Sequence, residues 1–373
     1  MEVPVALAAA LAGIVLIVVV LWEGFESIIL PRRVTRRFRL TRLFYRSTWL
    51  SWSRLVRWLA PVRLQETLLS FYGPLSILLL LSIWAGGLII GFALLHWATG
   101  SSVRPPDGSY GFFTDLYFSG TTFFTLGLGD VTPHTTPARI LTIVEAGMGF
   151  GFLALVISYL PVIYQAFSRR EINISLLDAR AGSPPSAGEL LRRHAESDTA
   201  EAIVEFLHDW ERWSSELLES HLSYPVLAYY RSQHDRESWL AALTMLLDVS
   251  ALLIVGVDGI PTSPARLAFA MARHAAVDLS QVFDTPPHMP SRNRLPPPDL
   301  SRLRKMLTDA GMSLREGPAA DQKLTDLRAN YEPYVNALAE HLLVALPPWL
   351  PEIDASDDWQ TSVWEHASTT PIL

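Results

Sequence analysis

Cysteine is absent from the 373 residues, which excludes disulfides and cysteine-ligated zinc and leaves the redox compartment unreadable. Charge is absent from Val3 to Trp22, a run long enough to cross a hydrocarbon core. The run is preceded by Glu2 rather than a basic flank and followed by no small-residue cleavage site, so a retained span is expected rather than a cleaved signal. Acidic residues are missing from Pro31 to Arg63, which holds ten arginines: Arg32, Arg33, Arg36, Arg37, Arg39, Arg42, Arg46, Arg54, Arg57 and Arg63. Beyond Glu171 there are neither alternating strand runs nor a Gly-rich βαβ fingerprint, which argues against a nucleotide-sensing Rossmann module.

What remains is apolar and polarised. Hydrophobic residues make up 50% of the chain and charged residues 18%, the balance of a membrane protein. From Met1 to Arg170 there are 14 Lys/Arg against 8 Asp/Glu, and from Glu171 onward 16 against 29. A basic membrane half therefore precedes an acidic, soluble half. The arginine-rich stretch interleaves Leu and Trp, the pattern of an amphipathic helix lying in the cytoplasmic interface against anionic lipid. Its arginines come as doublets, are interrupted by Pro61 and have no span of their own, unlike a voltage sensor. Glu23 and Glu26 fall where the first span leaves the membrane and are expected to be interfacial.

A second apolar run covers about Ser70 to Trp97 and a third Pro137 to about Phe167, closed by Arg169 and Arg170, which mark a cytoplasmic end. Between them, after a polar outer loop holding Arg104, Pro105, Pro106, Asp107 and Gly108, lies Phe112 to Phe124, too short to cross but apolar enough to enter the membrane. It leads into Thr125-Leu126-Gly127-Leu128-Gly129-Asp130. A dehydrated cation needs its water replaced by a ladder of oxygens, and backbone carbonyls supply one if successive residues aim them inward. Gly127 and Gly129 tolerate the positive φ this requires. The Thr125 hydroxyl adds an inner oxygen and Asp130 ends the ladder at the outer mouth. Irregular backbone at membrane depth is tolerated only where it is buried in protein or lines a water-filled cavity.

The run Tyr117-Phe118-Ser119-Gly120-Thr121-Thr122-Phe123-Phe124-Thr125-Leu126-Gly127-Leu128-Gly129-Asp130-Val131-Thr132-Pro133 resembles the pore helix and filter of tetrameric potassium channels, whose signature reads T-x-G-Y-G-D. The resemblance covers about residues 70 to 165. It implies a homotetramer around one axis, with permeant potassium as the metal and no cofactor. Gly149 stands where simple two-span bacterial relatives place a hinge glycine, and Gly151 repeats their G-x-G. The chain departs from the family at three places. Leu128 replaces the usual tyrosine and makes no polar bond behind the filter. Tyr117 and Phe118 occupy aromatic-cuff positions where many relatives have tryptophan, and Thr121 replaces a glutamate that some relatives pair with the filter aspartate. A filter held mainly by apolar packing is therefore expected.

Glu145, ionisable within the third span, is expected to pack behind the filter and accept bonds from pore-helix hydroxyls, the other reading being a cavity-facing cation attractor. Pro161 removes a backbone donor where inner helices would converge, as a gate or as a simple helix exit. Past Glu171, helical patterns fall at Glu189–Ala195, Asp198–Leu222, Glu237–Val257, Pro264–Phe283, Asp299–Ala310 and Ala320–Leu346. The Trp239 to Val257 run is apolar enough for a fourth span, but Asp248 at its centre favours a buried core helix. His194, His208-Asp209 and His234-Asp235 give only a weak hint of a metal phosphohydrolase.

The expected fold is an all-α membrane protein with three transmembrane helices, a re-entrant pore helix and filter, and a helical cytoplasmic domain. Its division is 1–30 (first span), 31–69 (basic linker), 70–168 (pore domain), 169–187 (linker) and 188–373 (helical domain). The expected function is a potassium-selective, multi-pass channel of the cell membrane (the inner membrane in a Gram-negative cell), not an enzyme. Its C-terminus is cytoplasmic, it binds no nucleic acid, and an unidentified ligand acts on the helical domain. The alternatives are a weakly selective monovalent cation channel or a membrane-anchored scaffold with a dead pore.

Overall fold

The computed structural model describes residues 3–30, 40–100, 103–104, 111–195, 200–232, 237–290 and 292–351. They form two compact units, Met1–Gln165 and Ala166–Leu373.

In the first unit, α1 (Val3–Gly24) closes with a π-turn at Phe25–Ile29. It leaves Leu7, Leu11, Ile14, Val15 and Val18 exposed and buries Ala9 and Ile17. Then come α2 (Leu40–Leu59), α3 (Val62–Ser70) and α4 (Tyr72–Ala98). Glycine lets α1 and α4 meet: a Cβ at Gly13 would lie 2.6 Å from the Gly91 carbonyl oxygen, and one at Gly87 2.9 Å from Val20 Cγ2. Rising numbers on α1 meet falling numbers on α4, so the helices run antiparallel. Gly87-x-x-x-Gly91 has the small-residue spacing that permits such close approach in lipid.

Glu23 and Glu26, expected at the interface, are instead buried. The Glu23 carboxylate accepts from the backbone N–H groups of Leu40 and Thr41, both at 3.1 Å, and from Thr41 Oγ1 at 2.8 Å. The free N–H groups and positive dipole end at the start of α2 draw it there. Glu26 accepts from Trp22 Nε1 at 2.9 Å. Along α2, Trp49, Ser53 and Val56 are buried on one face, while Arg42, Arg46, Arg54 and Arg57 stay exposed beside Leu43, Trp58 and Leu59. Arg32, Arg33, Arg36, Arg37 and Arg39, and the side chain of Arg63, lie outside the described residues.

The short α5 (Phe112–Phe123) spans about 18 Å at 1.5 Å per residue, too little to cross a membrane. Before and after it, β1 (Val103–Arg104) and β2 (Thr132–Pro133) pair antiparallel. The expected loop residues Pro105, Pro106, Asp107 and Gly108, and the Arg104 side chain, lie outside the described residues. Next, α6 (Thr136–Ala181) is a single helix of 46 residues, unbroken at Pro161.

That helix revises the expected linker at 169–187. Residues 166–181 are the tail of α6, with Ile174, Leu177 and Ala181 buried in the second unit, and α7 (Ala187–Ala195) begins after one turn. Arg170, expected to mark a cytoplasmic membrane edge, is buried. It donates to the Leu227 and Tyr230 carbonyls at 2.8 Å each and pairs with Glu171 at 2.9 Å. Buried apolar spacing explains the extension, since Phe167, Ile174, Leu177 and Ala181 recur with helical period.

The second unit continues with α8 (Ala200–Ser223), α9 (Trp239–Gly256), α10 (Thr262–Val282), α11 (Pro297–Asp309), α12 (Pro318–Ala329) and α13 (Glu332–Leu342). The pattern expected as one helix over Ala320–Leu346 is two, parted at Asn330–Tyr331. Pro333 cannot sit in a helix interior but suits the first turn of α13. Among the described residues four helices are long and apolar enough to cross a membrane: Val3–Ile29, Leu64–Ala98, Thr136–Ala181 and Trp239–Gly256. The last is the core of the second unit, buried at every residue from Trp239 to Val255. Its Asp248 pairs with Arg294 at 2.6 Å and accepts from the Tyr331 hydroxyl. Arg294 also reaches Glu332 at 3.2 Å and lies over the Trp349 ring. A buried carboxylate is tolerated when paired and hydrogen-bonded in this way.

Candidate ion pathway

The C-terminal end of α5, the negative end of its dipole, runs directly into the loop. Phe124 N donates to Gly120 O at 3.1 Å, Thr125 N to Thr122 O at 3.0 Å and Leu126 N to Thr121 O at 2.8 Å. The backbone then alternates in hand. Thr125, Gly127 and Gly129 have φ of 57°, 56° and 78°, while the intervening Leu126 and Leu128 are not in the positive-φ region. In a β-strand successive carbonyls point to opposite sides. Alternating right- and left-handed residues reverse every second peptide, so successive carbonyls turn to the same side. Glycine makes this easy at two of the three positions; Thr125 adopts it at a cost of roughly 1–2 kcal/mol. The stretch from Thr125 to Asp130 is exposed in the single chain, with Leu126 and Leu128 more than 60% exposed.

Asp130 is held, which the sequence did not suggest. The Tyr117 hydroxyl donates to Asp130 Oδ2 at 2.7 Å, and Val131 N approaches Oδ1 at 3.0 Å. To the expected apolar support the structure adds a polar brace from one aromatic-cuff position, on the pore helix rather than at position 128. The other, Phe118, is buried against Val131 and stands edge-on to His96 at 5.1 Å. Thr121 turns its hydroxyl back to Phe118 O at 3.0 Å.

Glu145 is fully buried. It takes a contact from Ser119 of α5 and another, at 3.2 Å, from His96 Nε2 of α4. The expected pore-helix hydroxyl is Ser119; the histidine was missed. A lone acid within an apolar span demands a partner, and His96 is the one strongly polar side chain at the far end of α4, so the signal was present.

Gly149 sits where α6 touches the end of α5. A Cβ there would lie 2.0 Å from the Phe123 carbonyl oxygen and 2.8 Å from its carbon. Gly151 has open space on the same test, and Pro161 is exposed within the continuous helix. In the second unit, His194 bonds the Leu190 carbonyl at 2.8 Å and stands edge-on to the Phe206 ring at 5.8 Å. Among the described residues no three His, Asp or Glu side chains gather as a metal group; His234-Asp235 lies outside them.

Comparison with known proteins finds a similarity in this segment. Residues 78–165 match a family model described as ion channel, which takes in most of α4, all of α5, the alternating loop and α6 as far as Gln165. An uncharacterized membrane protein, YdjJ of Bacillus subtilis (strain 168), is 24% identical over 239 residues, covering 64% of this chain and 69% of that protein. No solved structure matches. The exposed apolar helices and the matched segment agree on a membrane protein carrying an ion channel domain.

Proposed function

We propose that four copies of this chain assemble around one axis as a potassium channel of the cell membrane, residues 125–130 of each forming one wall of the filter. The alternating hand at Thr125, Gly127 and Gly129 carries the reading, because it turns a single loop into a column of carbonyls facing one way. One chain supplies one wall, so a full carbonyl cage calls for a closed ring of subunits. The exposed Leu126 and Leu128 side chains fit this, as neighbouring copies would cover them. The Tyr117–Asp130 bond stiffens the outer end of the column.

In this reading the loop enters from outside, the basic α2 lies along the cytoplasmic interface against anionic lipid, and the C-terminus is cytoplasmic. The gate lies toward Pro161 on α6. Gly149 is occupied by its contact with α5, whereas the open surroundings of Gly151 leave it free to bend. The second unit assembles or modulates the pore in response to a ligand of unknown chemistry.

The test is potassium flux from vesicles holding the purified protein, with its mass measured in detergent. The expected result is a tetramer of four 41.6 kDa chains that passes potassium, and a Gly127→Ala variant that stays tetrameric yet passes none. A conducting monomer or dimer, or undiminished flux in Gly127→Ala, would overturn the reading.

A further inference from the structure

Glu145, His96 and Ser119 come from three helices and are each fully buried. Two contacts join them, and a third ties Ser119 to the α4 backbone. Ser119 Oγ lies 2.8 Å from the Ile89 carbonyl oxygen and also against Glu145 Oε1, and His96 Nε2 lies 3.2 Å from Glu145 Oε2. His96 Nδ1 is buried with no partner among the described residues.

The hydrogens can be placed from these contacts. A carbonyl oxygen only accepts, so the single serine hydrogen goes to Ile89 O. The Ser119–Glu145 contact then needs a hydrogen from Glu145. With Oε1 protonated, Oε2 accepts from His96 Nε2–H, and Nδ1 keeps a bare lone pair. One assignment fills all three contacts: neutral His96 donating to Glu145, carboxylic acid Glu145 donating to Ser119, and Ser119 donating to the α4 backbone. The ion-pair alternative takes the serine hydrogen from Ile89 and buries a cationic Nδ1–H with nothing to receive it, the costlier choice. Among the described residues of these helices, no further cation is at hand. Besides Glu145, the ionisable side chains of the packed helices are Glu23 on α1, Tyr72 and His96 on α4, Asp115 and Tyr117 on α5, and Arg139, Tyr159 and Tyr164 on α6 before Ala166. Arg139 is exposed and donates to the Pro133 carbonyl.

We propose that Glu145 acts as an uncharged hydrogen-bond donor, a positioning residue that with His96 fastens the pore helix to the helices on either side of it. Its functional half rests on the channel reading above. Because α5 ends in the filter, the orientation of Ser119 fixes where the carbonyl column begins. The assignment makes a sharp distinction between substitutions. Glutamine copies the protonated acid, its NH2 donating to Ser119 and its oxygen accepting from His96. Alanine leaves both partners empty, and aspartate falls a methylene short.

The experiment compares full-length wild type with Glu145→Gln by difference infrared spectroscopy at neutral pH, and follows potassium flux of both and of Glu145→Ala and Glu145→Asp. A deuterium-sensitive carboxylic-acid carbonyl band that disappears in Glu145→Gln is the expected result. Flux and ion preference should stay within about twofold of wild type in Glu145→Gln and fall more than tenfold in the other two. A difference spectrum showing only carboxylate, or a loss in Glu145→Gln as large as in Glu145→Ala, overturns the proposal. Should wild type show the band but pass no ions, the proton assignment stands and the channel reading falls.

Discussion

Two glycines two residues apart on α6 should respond to alanine with opposite sign. In an unobstructed helix, replacing glycine by alanine stabilises by about 1 kcal/mol. At Gly151 nothing lies within 4 Å of the new methyl, so that gain should be kept. At Gly149 the methyl would sit 2.0 Å from the Phe123 carbonyl oxygen, where ordinary contact begins at 3.4 Å. The obstacle is backbone at the end of α5, with no flexible side chain to swing aside, so α6 and α5 must part by about 1.4 Å or the turn into the filter must distort. Overpacking of this kind costs roughly 1–3 kcal/mol and exceeds the propensity gain. Thermal unfolding of the detergent-solubilised assembly should therefore show Gly151→Ala at or above wild type and Gly149→Ala below it. Potassium flux should survive in Gly151→Ala and drop in Gly149→Ala, since Phe123 lies two residues before Thr125. Equal stability of both variants, or normal flux with raised stability in Gly149→Ala, would refute the contact and restore Gly149 as a hinge.

Three further outcomes follow. Arg294→Ala strips the fully buried Asp248 of its ion-pair partner and should cost about 3–5 kcal/mol, read as a large fall in the unfolding temperature of the full-length protein, with Arg294→Lys recovering part of it. Burial, reinforced by the Arg170 guanidinium 3.4 Å away, lowers the His221 imidazole to about 3. It stays neutral when folded while the unfolded imidazole protonates near its ordinary 6.5, so stability is lost as pH falls below that value, by up to about 1.4 kcal/mol per pH unit; unfolding scans at pH 7 and pH 5 should show a steeper acid loss in wild type than in His221→Gln. The cysteine-free chain also permits a clean register test: Val20→Cys with Gly87→Cys should form a disulfide on mild oxidation, and Val20→Cys with Phe71→Cys should not.

Much of the membrane half was legible because each signal there is local. A charge-free run reads as a span whatever surrounds it, and Gly127 and Gly129 announce a special backbone by their identity. What stayed hidden depends on distance in sequence. The Tyr117–Asp130 bond and the His96–Glu145 contact link residues 13 and 49 positions apart; Glu145 announces the need for a polar partner, whereas nothing beside Tyr117 or Asp130 names the other. At Glu23 an acid at a span's end looks merely interfacial until the free N–H groups of a helix 17 residues later are brought to it. Arg170 is alike: a basic pair after an apolar run reads as a membrane edge, and its sequence gives no hint that one of the two closes a buried network with Leu227 and Tyr230. Asp248 argues against a fourth span because one buried charge in an apolar run needs a protein partner, although the sequence does not identify Arg294.

The central claim is that the alternating loop selects potassium, and the reversal potential of the reconstituted channel under bi-ionic conditions, potassium on one side and sodium on the other, tests it most directly. The carbonyl column and the Tyr117 brace predict a reversal potential near that of a membrane permeable to potassium alone, shifting toward zero in Tyr117→Phe. A wild-type value near zero, showing that the two ions pass alike, would contradict it.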